Sequence, residues 1–166
     1  SYSVESVMKF SSSTPYSTTT VSAAEQNADD PVIVVSLGDS YSSGEGILPF
    51  YGQDKALAQK VQDQGWLAHR STKSWPSLLK IPGITGTMGD YLVKDSTVSS
   101  NNVQWYFGAV SGAETNHFQN SFTKKYDQDV PGLFNDDLTG SVDLPPQVDI
   151  FNTINGTVDY VTLTIG

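Results

Sequence analysis

Ser40 is the residue of this sequence best placed by type and position for covalent chemistry. It follows the β-branched run at residues 32–35 and closes the tripeptide Gly38-Asp39-Ser40. Such a run predicts a short strand buried on both faces, as in a parallel sheet. The hydroxyl would then lie at the carboxyl edge of the sheet, where open α/β folds build their sites. A following helix N-terminus would favour a developing oxyanion there. A capping serine in a plain strand-to-loop turn explains the same residues.

The elements that must position Ser40 alternate between strands and helices. Hydrophobic patterning predicts buried strands over residues 32–35, 103–110 and 159–165, and the first two end in small residues. Strands separated by helices imply right-handed crossovers and a parallel sheet. Helices are predicted over residues 53–64, 75–80 and 145–154, the second with Ser74 as its N-cap and Pro76 in its first turn. Residues 114–140 are polar and poorly periodic, which predicts a long loop.

The N-terminal residues differ in composition from the rest. Residues 1–10 partly alternate between polar and apolar and could add an edge strand. Residues 1–30 as a whole are expected to form a Ser/Thr-rich arm or linker, and the globular part is expected to begin at Pro31. Such leaders often precede exported domains, so an extracellular or cell-surface location is expected.

Composition narrows the class of function. The chain has 166 residues, enough for one domain with a core, and a net charge of −9. That charge argues against a nucleic-acid or anionic-membrane partner. The absence of cysteine excludes disulfides, thiol nucleophiles and Cys-type zinc sites. No apolar run approaches membrane-spanning length, and no metal or cofactor is expected.

Four segments taken together, in this order, resemble the GDSL/SGNH hydrolase family, in its actinobacterial-lipase-like branch. Any one of them is a weak signal, but four in the right order and spacing are a strong one. They are Gly38-Asp-Ser-Tyr-Ser42, Arg70-Ser-Thr-Lys-Ser-Trp-Pro-Ser-Leu78, Ala109-Val-Ser-Gly-Ala113 and Val161-Thr-Leu-Thr-Ile-Gly166.

The resemblance implies a serine hydrolase of carboxylic esters with a flavodoxin-like three-layer parallel sheet, the SGNH hydrolase fold. It makes Ser40 the nucleophile, and makes the backbone N–H groups of Ser40 and Gly112 two donors of the oxyanion hole. A glycine suits that role because, without a Cβ, its N–H can closely approach a tetrahedral intermediate. A plain turn glycine explains Gly112 equally well. Asp39 is expected to orient the turn and not to take part in catalysis.

The family also requires residues that have no counterpart in this sequence. A third oxyanion donor, an Asn, and the catalytic His with its Asp partner are expected downstream of residue 166, so residues 31–166 are interpreted as the N-terminal part of a domain truncated after its third strand. His69 and His117 are not expected to replace the catalytic base. The segment alone should then be nearly inert. The C-terminal remainder of the protein is its expected partner and should pair with the open edge of the third strand.

Two further points follow from the resemblance. The branch commonly carries two paired cysteines, and Ala68 and Val110 occupy their positions here. The alternative function is a non-catalytic carbohydrate- or surface-binding domain on the same scaffold. Trp66 and Trp75 could supply stacking platforms for sugars in such a domain, whereas Trp105 lies in a strand and is expected in the core.

Overall fold

The computed structural model of the chain describes residues 6–9, 30–53, 64–94, 99–125 and 140–166. The strands in these ranges are β1 Ser6–Lys9, β2 Val32–Gly38, β3 Val103–Phe107, β4 Phe122–Lys125, β5 Ser141–Leu144 and β6 Tyr160–Thr164. Short α-helices span Ser40–Ser43, Gln64–Leu67 and Trp75–Leu78, and 3-10 helices span Met88–Tyr91, Thr115–Phe118 and Gln147–Thr153.

The main sheet has the strand order β1-β6-β2-β3. β2 lies in its centre and pairs in parallel with β3 on one side and with β6 on the other. The predicted α/β class with a parallel sheet is therefore confirmed for these three strands. β2 is buried from Ile33 to Gly38, as a central strand covered on both faces must be.

Two apolar clusters cover the two faces of this sheet. On one face, Trp105 and Phe107 stack with ring centroids 4.6 Å apart and pack with Val34, Met88 and Ile81. The prediction that Trp105 belongs to the core is confirmed, since its side chain is fully buried. The other face is formed by a cluster of Ile33, Val35, Leu37 and Tyr106.

A buried hydroxyl network lies within the sheet beside the tryptophan. The Ser36 hydroxyl accepts the indole N–H of Trp105 at 2.9 Å and the Thr162 hydroxyl at 2.7 Å. Since each of these buried groups has a partner, β2 carries a serine in its interior without an unpaired polar group.

The edge of the third parallel strand is not open. β1 pairs antiparallel with β6, from Ser6 opposite Leu163 to Lys9 opposite Tyr160. The expectation of an unpaired edge on this strand is therefore wrong, whereas the expectation that residues 1–10 could add an edge strand is confirmed. The arm assigned to residues 1–30 thus contributes at least these four residues to the sheet.

Several local predictions can be compared with the described ranges. The helix after Ser74 is confirmed, with the Ser74 hydroxyl accepting the N–H of Ser77. The long loop expected over residues 114–140 is wrong in part, because β4 and β5 form an antiparallel pair. Between the helices predicted over residues 53–64 and 75–80, the side chains of Trp66, Leu67 and Ala68 are buried. The helix expected over residues 53–64 lies almost entirely outside the described residues.

Candidate functional site

The turn that carries Ser40 begins where β2 ends. Gly38 has a φ of 136°, and a Cβ at this position would collide with the carbonyl oxygen of Thr164 on β6. Only glycine fits this combination of backbone conformation and close approach. The chain then enters the short helix Ser40–Ser43, so that Ser40 is its first residue.

Asp39 holds this turn through backbone hydrogen bonds. Its N–H donates to the carbonyl of Thr164 at 3.1 Å, and its carboxylate accepts the N–H groups of Tyr41 at 3.0 Å and Gly166 at 2.9 Å. The carboxylate is therefore committed to the N-cap of the helix and to the chain that follows β6. This geometry agrees with the predicted orienting role of Asp39.

Gln147 is a second support of the turn, and it was not predicted from the sequence. Its side-chain oxygen accepts the N–H of Gly38 at 2.9 Å, and its amide nitrogen donates to the carbonyl of Gly38 at 2.8 Å. The side chain is buried, with 4% exposure. Both backbone groups of the residue where β2 ends are thus satisfied by one amide from a segment more than a hundred residues away. No local sequence pattern could have indicated this contact.

The segment that carries Gly112 continues the pairing of β2 and β3 beyond the end of β3. Gly108 donates to Ser36 at 2.8 Å, and Val110 donates to the carbonyl of Gly38 at 3.0 Å. Ser40 and Gly112 each lie two residues beyond this last bonded pair. The segments that carry the two predicted site residues therefore leave the same edge of the sheet from adjacent strands.

Gly112 itself lies in a far more open environment than Gly38. Its φ is 83°, it is exposed, and a Cβ there would meet only the Phe122 ring, at 3.5 Å. The positive φ explains the glycine as a turn residue.

A carboxylate–imidazole pair lies between the two turns. Glu45 donates its N–H to the carbonyl of Ser40 at 3.0 Å, and its carboxylate lies 2.6 Å from Nδ1 of His69. Burial by itself would raise the pKa of the Glu45 carboxyl. Interactions with the Ser111 and His69 side chains, and the charges of His69 and Lys124, hold that pKa below its usual range. Glu45 is therefore a carboxylate at neutral pH.

The two histidines have other partners than the Ser40 hydroxyl. His69 is buried, has a φ of 53°, and stacks on Phe50 with ring centroids 4.8 Å apart. Nδ1 of His117 accepts the N–H of Glu114 at 2.9 Å, and its ring packs edge-on against Phe122. Within the described ranges, neither imidazole is hydrogen-bonded to Ser40. This agrees with the expectation that neither replaces the catalytic base.

The two positions where the related branch carries cysteines are neighbours in the structure. Ala68 and Val110 are buried in one apolar cluster, and Ser111 donates its N–H to the carbonyl of Ala68 at 3.0 Å. Apolar packing thus occupies the place at which the resemblance implies a disulfide.

Two of the three tryptophans are unavailable as sugar platforms. Trp66 and Trp105 are fully buried, whereas Trp75 is partly exposed. The suggestion that Trp66 stacks on a carbohydrate is therefore wrong. Tyr41, which follows Ser40 directly, is 80% exposed and is the large aromatic side chain nearest to the candidate nucleophile in sequence.

An apolar cavity of about 530 Å³ lies apart from the candidate site, on the sheet face formed by Leu37, Val161 and Leu163. Its other lining residues include Phe151 and Val148, and neither Ser40 nor Gly112 contributes to it. Among the described residues, no three His, Asp or Glu side chains are grouped as a metal ion would require. No helix in these ranges is long and apolar enough to cross a bilayer.

Comparison with known proteins gives no relative of this chain. No family model, no curated protein and no solved structure matches it.

Proposed function

We propose that this chain carries the nucleophile and part of the oxyanion hole of a serine esterase of the SGNH type. The proposal includes the finer fold assignment, a flavodoxin-like three-layer α/β domain, and an exported location. The substrate class is a carboxylic ester, whether a short acyl ester, a lipid or an acetylated glycan. The observation that supports the proposal is that the segments carrying Ser40 and Gly112 leave the same carboxyl edge of a parallel sheet, each two residues beyond the last bonded pair, Gly38 and Val110.

The chemistry of these two residues is acyl transfer. Ser40 Oγ attacks the ester carbonyl carbon while a general base takes its proton, and the carbonyl oxygen becomes an oxyanion. The N–H groups of Ser40 and Gly112 stabilise this charge. The carbon–oxygen bond to the alcohol then breaks, the base returns the proton to the alcohol, and water releases the acid by the same steps.

A general base must come from elsewhere, because among the described residues neither His69 nor His117 is hydrogen-bonded to Ser40: the ring of His69 bonds Glu45, and that of His117 bonds the N–H of Glu114. We place this base, its Asp partner and a third oxyanion donor in the C-terminal remainder of the protein, which is the partner implied by the family resemblance. Without an aligned imidazole the Ser40 hydroxyl stays protonated and is a poor nucleophile. The 166 residues alone should therefore show almost no esterase activity.

The alternative, a binding domain without catalysis, rests on fewer observations. Burial of Trp66 and Trp105 leaves Trp75 and Tyr41 as aromatic groups that a sugar ring could reach. A binding domain without catalysis also does not explain why Gly38 is followed by Ser40 at the sheet edge where the turn of Gly112 also begins.

The deciding experiment uses the polypeptide that contains both this sequence and the proposed downstream general base, and compares it with its Ser40→Ala variant. The parent should hydrolyse p-nitrophenyl acetate, and the variant should lose activity by on the order of 10³-fold or more, since no other group can form the acyl intermediate. A fluorophosphonate should label Ser40, as peptide mass spectrometry would show. Ser100→Ala, which removes an exposed hydroxyl, is the matched control and should retain full activity. Full activity in Ser40→Ala would remove Ser40 from the mechanism.

A further inference from the structure

The N–H of Gly112 belongs to the same peptide unit as the carbonyl of Ser111. A peptide bond is planar and trans, so the direction of the C=O fixes the direction of the N–H on the opposite side. Whatever binds the Ser111 carbonyl therefore determines where the Gly112 N–H points. A flip of this one peptide would replace a donor in the candidate oxyanion hole by an acceptor.

The Ser111 carbonyl is bound by a charged side chain from the β4–β5 pair. Lys124 Nζ donates to this oxygen at 3.1 Å. The same ammonium group lies 5.4 Å from the centroid of the Phe122 ring, two residues earlier on β4. That ring is also the group nearest to the space above Gly112, and the His117 ring packs against it. Phe122 and Lys124 thus approach one peptide from the same strand.

The Ser111 residue is held on its other sides as well. Its N–H donates to the carbonyl of Ala68, and its side chain is one of the groups that lower the pKa of the Glu45 carboxyl. Glu45 in turn follows the Ser40 turn and bonds to its carbonyl. The positive charge of Lys124 and the negative charge of Glu45 therefore both lie near the residue that precedes Gly112.

We propose that Lys124 and Glu45 act as positioning residues that clamp the Ser111–Gly112 peptide with its N–H directed toward the site of Ser40. Lys124 holds the carbonyl of this peptide, and Glu45 ties Ser111 to the Ser40 turn. The inference rests on the proposed esterase function and adds to it a device, carried by β4, that sets the geometry of the oxyanion hole.

The test uses two adjacent lysines of β4. Lys124→Met removes the ammonium group but keeps an unbranched side chain, and Lys125→Met does the same to an exposed neighbour whose side chain faces away from the clamp. In the polypeptide that carries this sequence, Lys124→Met should shift the amide resonance of Gly112 and lower kcat about 10-fold to 100-fold, with KM unchanged. Lys125→Met should change neither quantity. Lys124→Arg, which restores a cationic donor, should recover most of the lost kcat.

A second variant keeps the proposal testable if Lys124→Met does not fold. Glu45→Gln removes the other charge near Ser111 and should shift the same Gly112 resonance. An unchanged Gly112 resonance in both variants would overturn the clamp, and so would a shifted resonance with unaltered kcat. Full activity in Ser40→Ala would instead overturn the proposed esterase function, while the Gly112 resonance would still decide whether the clamp exists.

Discussion

The turn of Ser40 and the turn of Gly112 leave the same sheet edge, but they are held in different ways. Around Ser40, Gln147 binds the backbone groups of Gly38, Thr164 accepts the N–H of Asp39, and the Asp39 carboxylate accepts the N–H of Tyr41. Gly112 itself is exposed, and the carbonyl of the residue before it is bound by a side chain from another segment, Lys124. The proposed nucleophile is thus held by buried backbone packing, whereas the proposed oxyanion donor is held by charged side chains at the surface. We therefore expect substitutions of charged surface residues to leave the conformation of the Ser40 turn unchanged and to alter that of the Gly112 turn.

The largest expected difference between the two turns comes from the same substitution at their glycines. Gly38→Ala should destabilise the fold by about 3 kcal/mol or more, because strain at positive φ adds to overpacking against a backbone oxygen. Gly112→Ala should cost only about 1–2 kcal/mol, the price of a left-handed conformation alone. Urea unfolding of both variants measures the comparison, and equal losses would show that the two turns are held alike.

A smaller effect is expected from the buried amide that supports the Ser40 turn. Gln147→Leu should destabilise the protein by about 1–3 kcal/mol, because it leaves the N–H of Gly38 buried without a partner, while the C=O of Gly38 keeps the N–H of Val110. Gln119→Leu is the matched control: Gln119 is exposed, and its replacement should change stability by less than about 0.5 kcal/mol. Thermal unfolding of the pair tests this. A Gln147 variant as stable as its control would mean that other groups satisfy Gly38.

The smallest effect concerns the charge between the turns. The pKa of Glu45 is lower in the folded protein than its usual value, so its charged form stabilises the fold above the unfolded pKa. This contribution is lost as the pH falls through the folded pKa. Glu45→Gln should therefore be slightly less stable than the parent at neutral pH, and the two should converge in acid. Unfolding in urea across the acidic range provides the measurement, and a difference that persists in acid would contradict it.

The sequence was sufficient for features that depend on neighbouring residues. The β-branched run of β2, the Ser74 cap and the turn role of Asp39 are local, and each could be predicted from residue types within a few positions. The pairing of strand ends that brings Ser40 and Gly112 to one edge also followed, since parallel strands deliver their carboxyl ends together.

The parts that could not be predicted depend on contacts between distant segments. Gln147, Lys124 and Glu45 look like ordinary polar residues in the sequence, and only tertiary packing brings them to Gly38 and Ser111. The β4–β5 pair was also missed. Each of its strands has only four residues, and only every second residue is turned away from solvent. Burial of Trp66 was missed because residues that pack against it, such as Leu144, lie far from it in the sequence.

The antiparallel strand Ser6–Lys9 has a consequence for how this sheet could grow. It uses the backbone N–H and C=O groups on the side of β6 away from β2, which a further strand placed beside β6 would need. A strand from another molecule would therefore have to displace β1, which has only four residues but belongs to the same chain as β6. Because β1 is covalently attached, its effective concentration at β6 is high. A strand from another molecule would replace it only by forming more backbone hydrogen bonds with β6.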